Sequence, residues 1–347
     1  MSRPLVLLDP HPRKRERIFD SEQWARLVAM AEIVEDDAAP MRDELVDRLL
    51  PEATAVIGQT ALTAERIRRA GKLRALINVE GNFYRNVDYP ACFARGIHVL
   101  SIAPAFAVPV AEMSIALALD LARGVTPGDR AVREGSEIYG SAGNAAAVLL
   151  SGAQVGLVGY GNIGRALRKL LLGFGVTIQV CDPWLPDGYL RDEGMVPVKL
   201  AELLATSQFV FILAGVTSEN GGFLGHRELS AIRQDAIVVL ASRAGVVDFD
   251  AFVALANAGR FRAATDVFPH EPLPADSPIR ASRLLMSAHR AGGMPAAMKA
   301  IGDLILDDLG LVLRGLPPLR LQQARPETVD KMRSPPAQAY QSPRPTR

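Results

Sequence analysis

Short apolar runs alternate with helical patterns along most of this 347-residue chain. In the first third the runs are Leu5–Leu8, Ala55–Ile57, Ala75–Asn78 and His98–Ser101, with helical patterns around Asp43–Leu50 and Thr63–Ala70 between them. The middle repeats the scheme at Gln154–Val158, Thr177–Cys181, Phe209–Leu213, Ile237–Ala241, Phe261–Thr265 and Leu284–Ser287. Neighbouring parallel strands need a crossover, and a helix makes that crossover while burying a face of the sheet. Regular alternation therefore predicts parallel sheets with helices on both faces. Two such series, in a chain too long for one simple core, predict an α/β protein of two doubly wound domains.

Between the series lies Val108–Arg123, a helical stretch whose apolar residues cover more than one face. That breadth predicts packing on two sides, against its own sheet and against a second copy of the chain. A glycine- and alanine-rich arm of helix and loop follows, and an amphipathic helix is expected at Ala296–Leu313. From Leu321 onward Pro326, Pro335, Pro336, Pro343 and Pro345 interrupt any period and apolar residues thin out, so residues 321–347 are expected to be disordered.

Bulk properties exclude several classes of function. The formal net charge of +1 gives no global field for nucleic acid or anionic lipid. The first apolar run, Leu5–Leu8, is too short for a signal core or a membrane span. Cys92 and Cys181 belong to no Cys/His cluster, so neither a disulfide framework nor a metal site is expected, and the cytoplasm is the default compartment.

The segment Gly159-Tyr160-Gly161-Asn162-Ile163-Gly164 is a G-x-G-x-x-G pattern that follows an apolar strand and opens a helix. In that context the pattern predicts a dinucleotide site. Gly159 permits the tight turn, Gly161 lets the backbone approach a pyrophosphate, and Gly164 lets helix and strand pack closely. Free N–H groups at the helix start, around Asn162 and Ile163, face the negative charge. Asp182 ends the next strand, about twenty residues on, where a carboxylate accepts from ribose hydroxyls and repels a 2′-phosphate, favouring NAD over NADP. The alternative role for Asp182 is a turn cap before Pro183.

In open α/β sheets ligands bind outside the carboxyl ends of the strands. Three further strands of the middle series end in reactive groups: Arg243 follows IVVLAS, Asp266 follows FRAAT with Glu271 in the next loop, and His289 follows LLMSA. LLMSA itself is expected to be a buried parallel strand. Arginine, carboxylate and histidine at one sheet edge suit oxidation of a 2-hydroxy acid. The imidazole takes the hydroxyl proton as hydride leaves the carbon, and returns it in the reverse direction. A carboxylate on the other ring nitrogen fixes the tautomer, and an arginine fork grips the substrate carboxylate or polarises the 2-oxo group. Each has a plainer alternative: a surface ion pair for Arg243, a solvated loop carboxylate for Glu271, a satisfied strand-end histidine for His289.

Taken together, GYGNIG with Asp182-Pro183, SRAGVVD, ATDVFPHEPLP and SAHRAGG resemble the D-2-hydroxyacid dehydrogenase family over about residues 50–315. The resemblance implies a Rossmann NAD-binding domain, residues 108–293, inserted into a flavodoxin-like substrate domain, residues 1–107 and 294–320. It implies that Arg243 binds substrate, Glu271 pairs with the histidine, and His289 is the acid–base. Asp266 would lie by the nicotinamide carboxamide, and Thr217 would join the cofactor-binding set. Backbone amides at Glu80, Gly81 and Asn82 would bind the substrate carboxylate. The implied ligands are NAD and a small 2-hydroxy or 2-oxo acid, and the implied partner is a second subunit docked through the NAD domain.

Departures from the family pattern cluster near the substrate. Phe83 stands where glycine is expected and Arg85 where aspartate is common; their bulk and charge could suit a larger or doubly anionic substrate, although Arg85 could equally point to solvent. Gly215 and Ala288 replace prolines. A second reading, an NAD(H)-sensing scaffold with little turnover, stays open at this stage, as does formate or phosphite oxidation.

Overall fold

The computed structural model describes residues 3–334. Among them two compact units are formed, one by residues 3–106 with 294–334 and the other by Ala107–Gly293. In chain order the first strands are β1 Leu5–Asp9, β2 Glu32–Val34, β3 Ala53–Gly58, β4 Ala75–Asn78, β5 Phe83–Tyr84 and β6 His98–Ser101. The next are β7 Gln154–Val158, β8 Thr177–Cys181, β9 Val196–Pro197, β10 Phe209–Ile212, β11 Ile237–Leu240, β12 Arg262–Thr265 and β13 Leu285–Met286. The last are β14 Gln322–Gln323 and β15 Arg333–Ser334.

The second unit is a seven-stranded parallel sheet in the order β13-β12-β11-β10-β7-β8-β9. Strand order reverses between β7 and β10, which makes that junction the place for a ligand. The central strands Phe209–Ile212 and Ile237–Leu240 are buried at every residue, as unbroken apolar runs must be when helices cover both faces. Helix Ala107–Arg123, which together with the turn before it (Ala103–Phe106) is long and apolar enough in composition to cross a membrane, packs on helix Asn162–Leu171 and on β11 and β12. It buries Val110, Ala111, Ser114, Leu117 and Ala118, while Val108 on its far side is exposed.

The strand expected at Leu284–Ser287 is shorter and less buried than its composition predicts. Only Leu285 and Met286 pair, with β12 on one side alone, and both are half-buried. An edge strand has one neighbour, so apolar composition there does not guarantee burial.

The first unit carries a six-stranded sheet, β14-β6-β4-β3-β1-β2, parallel except for β14. Helix Pro295–Leu313 packs against it through Ile301, Ile305 and Leu309, none of them exposed to solvent. Disorder from Leu321 onward is overturned for residues 321–334. Asp308, itself fully buried, accepts the N–H groups of Leu319, Arg320 and Leu321. Gln322 and Gln323 then pair antiparallel with β6, Leu321 and Val329 enter the core, and β15 pairs parallel with β5. A buried carboxylate, two strand pairings and two apolar side chains together hold this proline-broken segment. The rest of the expected tail, 335–347, lies outside the described residues.

Candidate active site

Gly159 ends β7 with φ +94°, and a side chain there would meet the Ala214 backbone at 2.8 Å. Only glycine fits that turn. A Cβ on Gly164 would come within 3.1 Å of the Gly159 carbonyl, so the helix Asn162–Leu171 sits as close to the strand as the spacing predicts. A Cβ on Gly161 would meet nothing within 4 Å. That open space at a helix start, with Asn162 and Ile163 partly exposed beside it, is what a dinucleotide pyrophosphate needs, and these residues fit one.

Asp182 lies at the end of β8 but is not idle. One carboxylate oxygen accepts the Tyr160 N–H at 2.8 Å and the other the Trp184 N–H at 2.9 Å. The turn-capping role is therefore real, and each oxygen keeps a second lone pair for a ribose hydroxyl. Thr217, in the loop after β10, donates its N–H to Asn220 and accepts from the Glu219 N–H through its hydroxyl.

At the other side of the same sheet, His289 Nδ1 stands 2.5 Å from Glu271 Oε2. The other Glu271 oxygen accepts the Phe268 N–H at 2.8 Å. Burial pushes the Glu271 carboxyl upward, but the His289 hydrogen bond, the Phe268 N–H and the charges of His289 and Arg243 outweigh it. Its pKa lies below the ordinary carboxylate value. The His289 side chain is 44% exposed, and Nε2 is not the nitrogen that Glu271 engages. Arg243, exposed at the end of β11, uses one guanidinium nitrogen on its own Ser242 carbonyl and keeps the rest of its donors. The structure thus brings His289, Glu271 and Arg243 together in one unit. His270, the histidine next to Glu271 in the chain, is exposed.

Asp266 behaves differently from the cofactor contact expected of it. It is 1% exposed, and its two carboxylate oxygens accept the Arg290 and Ala291 N–H groups at 3.0 and 2.9 Å. Nothing in its sequence position marks this, because the bonds reach the loop after a different strand.

Glu80, Gly81 and Asn82 belong to the first unit, in the loop after β4. The Glu80 N–H is already taken by Asn78 Oδ1 at 2.8 Å, and its carboxylate pairs with Arg13 at 2.7 Å. The amides of Gly81 and Asn82 have no partner among the described residues. Arg13 also holds the Val79 carbonyl at 2.9 Å, a role that no sequence signal carries across such a separation. Phe83 is 2% exposed and packs edge-on against Tyr89 in the core, so its bulk faces no ligand; Arg85 is exposed.

The family model described as the NAD binding domain of D-isomer specific 2-hydroxyacid dehydrogenase matches residues 115–291, about half the chain. The chain is similar to the crystal structure of a phosphoglycerate oxidoreductase from Rhizobium etli, with 46% identity and a TM-score of 0.87 over 94% of this chain and 100% of that one. It is 29% identical over 317 residues to the glyoxylate reductase of Korarchaeum cryptofilum, covering 89% of this chain and 92% of the relative. It is also 30% identical over 292 residues to the D-3-phosphoglycerate dehydrogenase of Archaeoglobus fulgidus, covering 82% of this chain but 54% of the relative, so it spans about half that protein's length.

Proposed function

The chain belongs to the D-isomer-specific 2-hydroxyacid dehydrogenase family of NAD-dependent oxidoreductases, and from that premise we propose how its residues carry the reaction. The observation that carries the proposal is the 2.5 Å contact of His289 Nδ1 with Glu271, which leaves Nε2 unengaged by that carboxylate at the carboxyl edge of a sheet that begins with the Gly159 turn.

NAD, when bound, supplies the hydride acceptor. Gly159, Gly161, Asn162, Ile163 and Gly164 shape the turn that receives its pyrophosphate, Asp182 accepts from its ribose, and Thr217 lies in the neighbouring strand-end loop. His289 Nε2 takes the proton of the substrate hydroxyl in oxidation and returns it to the carbonyl oxygen in reduction. Glu271, ionised, holds the Nδ1 proton and balances the imidazolium that forms. Arg243 presents its free guanidinium donors to the substrate carboxylate. In the first unit the Gly81 and Asn82 amides stay free to bind an anionic group, while Glu80 acts internally.

The substrate is a D-2-hydroxy acid or its 2-oxo partner. Similarity to a phosphoglycerate oxidoreductase and to a glyoxylate reductase places glyoxylate and the 2-oxo acid of 3-phosphoglycerate first in the panel. The test follows NADH absorbance across that panel with wild type and His289→Ala. Turnover by wild type with a loss of at least roughly a hundredfold in the variant is expected. Activity of His289→Ala within a few-fold of wild type removes the acid–base assignment.

We also propose a homodimer through the second unit. The arm after helix Ala107–Arg123 exposes the large apolar side chains Val132, Ile138, Tyr139 and Leu149, which a second copy of the chain would cover. Sedimentation at micromolar concentration should give twice the 37.3 kDa chain mass; a monomer there ends this part of the reading.

A further inference from the structure

Three consecutive backbone N–H groups in the loop after β13 converge on one residue at the end of β12. His289 donates to the Asp266 carbonyl at 2.8 Å, Arg290 to Oδ1 at 3.0 Å and Ala291 to Oδ2 at 2.9 Å. Successive N–H groups in a right-handed–left-handed or turn conformation form a concavity that binds an anion. Here the residue in the left-handed region is His289, at φ +49°. The anion is the protein's own carboxylate, 1% exposed.

We propose that Asp266 is a positioning residue for the acid–base histidine, holding the His289–Ala291 backbone so that the imidazole meets Glu271. The inference rests on the reading of His289 given above. A non-glycine residue at positive φ is strained and persists only where its surroundings over-determine it. Glycine would relieve the strain at position 289 but could not supply an imidazole, so the constraint has to come from a neighbour. Asp266 supplies it from the adjoining strand, on a base of buried β12 residues.

Glu271 is held separately. Its own loop closes through the Phe268 N–H, and Arg280 fastens that loop by donating to the carbonyls of Leu273 and Pro274. Histidine and glutamate are therefore anchored from two sides, and their 2.5 Å contact depends on both anchors. The rival role for Asp266, a contact to the nicotinamide amide, finds a residue only 1% exposed with the bonds to Arg290 and Ala291 made.

The experiment compares wild type, Asp266→Asn and His289→Ala, with NADH and whichever 2-oxo acid wild type reduces. Asparagine keeps the shape but turns an NH₂ toward one of the two backbone donors, so the loop loses a bond and gains a clash of donors. We expect kcat at saturating NADH and oxo acid to fall tenfold or more in Asp266→Asn, while the NADH dissociation constant, read by fluorescence, stays within about twofold. The acid limb of its kcat–pH profile moves to higher pH, because Glu271 loses the His289 bond that keeps its pKa low. A merely looser fold would not move that limb.

Wild-type kcat in Asp266→Asn, or a defect confined to NADH binding with kcat intact at saturation, overturns the assignment. If His289→Ala stays active, the acid–base reading fails first and this one with it; an inactive His289→Ala beside a fully active Asp266→Asn sinks this one alone. Hydrogen exchange on wild type needs no variant: the Arg290 and Ala291 amides should exchange at least a hundredfold more slowly than unbonded exposed amides, and fast exchange refutes the clamp even if Asp266→Asn does not fold.

Discussion

Two loops at the carboxyl ends of parallel strands, one in each unit, are anchored by opposite means. The loop after β13 is held by its backbone: three N–H groups go to Asp266, and the His289 side chain is left to act. The loop after β4 is held mainly through side chains. Asn78 bonds the Glu80 N–H and the Asn82 carbonyl, Arg13 grips the Glu80 carboxylate and the Val79 carbonyl, and the Gly81 and Asn82 amides are left to act. What each loop offers to chemistry is what its anchoring does not use. The loop that presents the imidazole is fixed by main chain, and the one that presents free main-chain donors is fixed by side chains.

The largest expected effect separates the foundation of the loop after β4 from a substrate contact. Phe83 follows that loop directly and is 2% exposed against Tyr89. Phe83→Ala should therefore destabilise the protein by about 3–5 kcal/mol, seen in urea or thermal unfolding. If it instead changed the preferred oxo acid with stability intact, Phe83 would line the site and the contrast between the loops would need redrawing.

Next in size is Glu271→Gln, which keeps the geometry beside the His289 loop and removes the charge behind the ring. A fall in kcat on the order of tenfold to a hundredfold is expected. Glu271 has a depressed pKa in the folded state. Its contribution to stability is therefore present in full above the ordinary carboxylate pKa of about 4.3 and is lost as pH falls through its lower folded value. Wild type should lose stability across that acid window more steeply than Glu271→Gln. Parallel acid-melting curves for the two proteins would show that the pair is not formed in solution.

These two loops are unequally legible in the sequence. The Gly159 turn, the strand ends and the trio Arg243, Glu271 and His289 follow from local signals, because strand–turn–helix chemistry is written within a few residues. The anchors do not. Asp266 reaches a loop on the neighbouring strand, Arg13 a loop far along the chain, and Asp308 the segment 319–321. A carboxylate's partners are set by tertiary proximity, which periodicity cannot express. For the same reason residues 321–334 read as disordered: proline density is a local signal, whereas Leu321 and Val329 find their pockets only in the assembled core. Burial of the edge strand β13 fails similarly, since composition does not say how many neighbours a strand has.

Smaller effects test the side-chain anchoring. Arg13 and Glu80 are both largely shielded, at 22% and 14% side-chain exposure, so Arg13→Met leaves the Glu80 carboxylate unpaired and loosens the loop. KM for the oxo acid should rise roughly fivefold, about 1 kcal/mol, with the NADH dissociation constant unchanged. An unchanged KM would mean that Asn78 alone holds the loop.

Smallest of all is Arg85→Ala. Arg85 lies just beyond β5 and is exposed, and no ion pair is formed by it among the described residues. A surface change of this kind stays within about 0.5 kcal/mol, so stability and KM for glyoxylate should both hold within roughly twofold. A phosphorylated oxo acid supplies the sharper comparison. Were Arg85 to read a second anionic group, KM for that substrate would rise about tenfold while KM for glyoxylate stayed put. Equal small changes for both substrates mean that Arg85 reads no second anionic group.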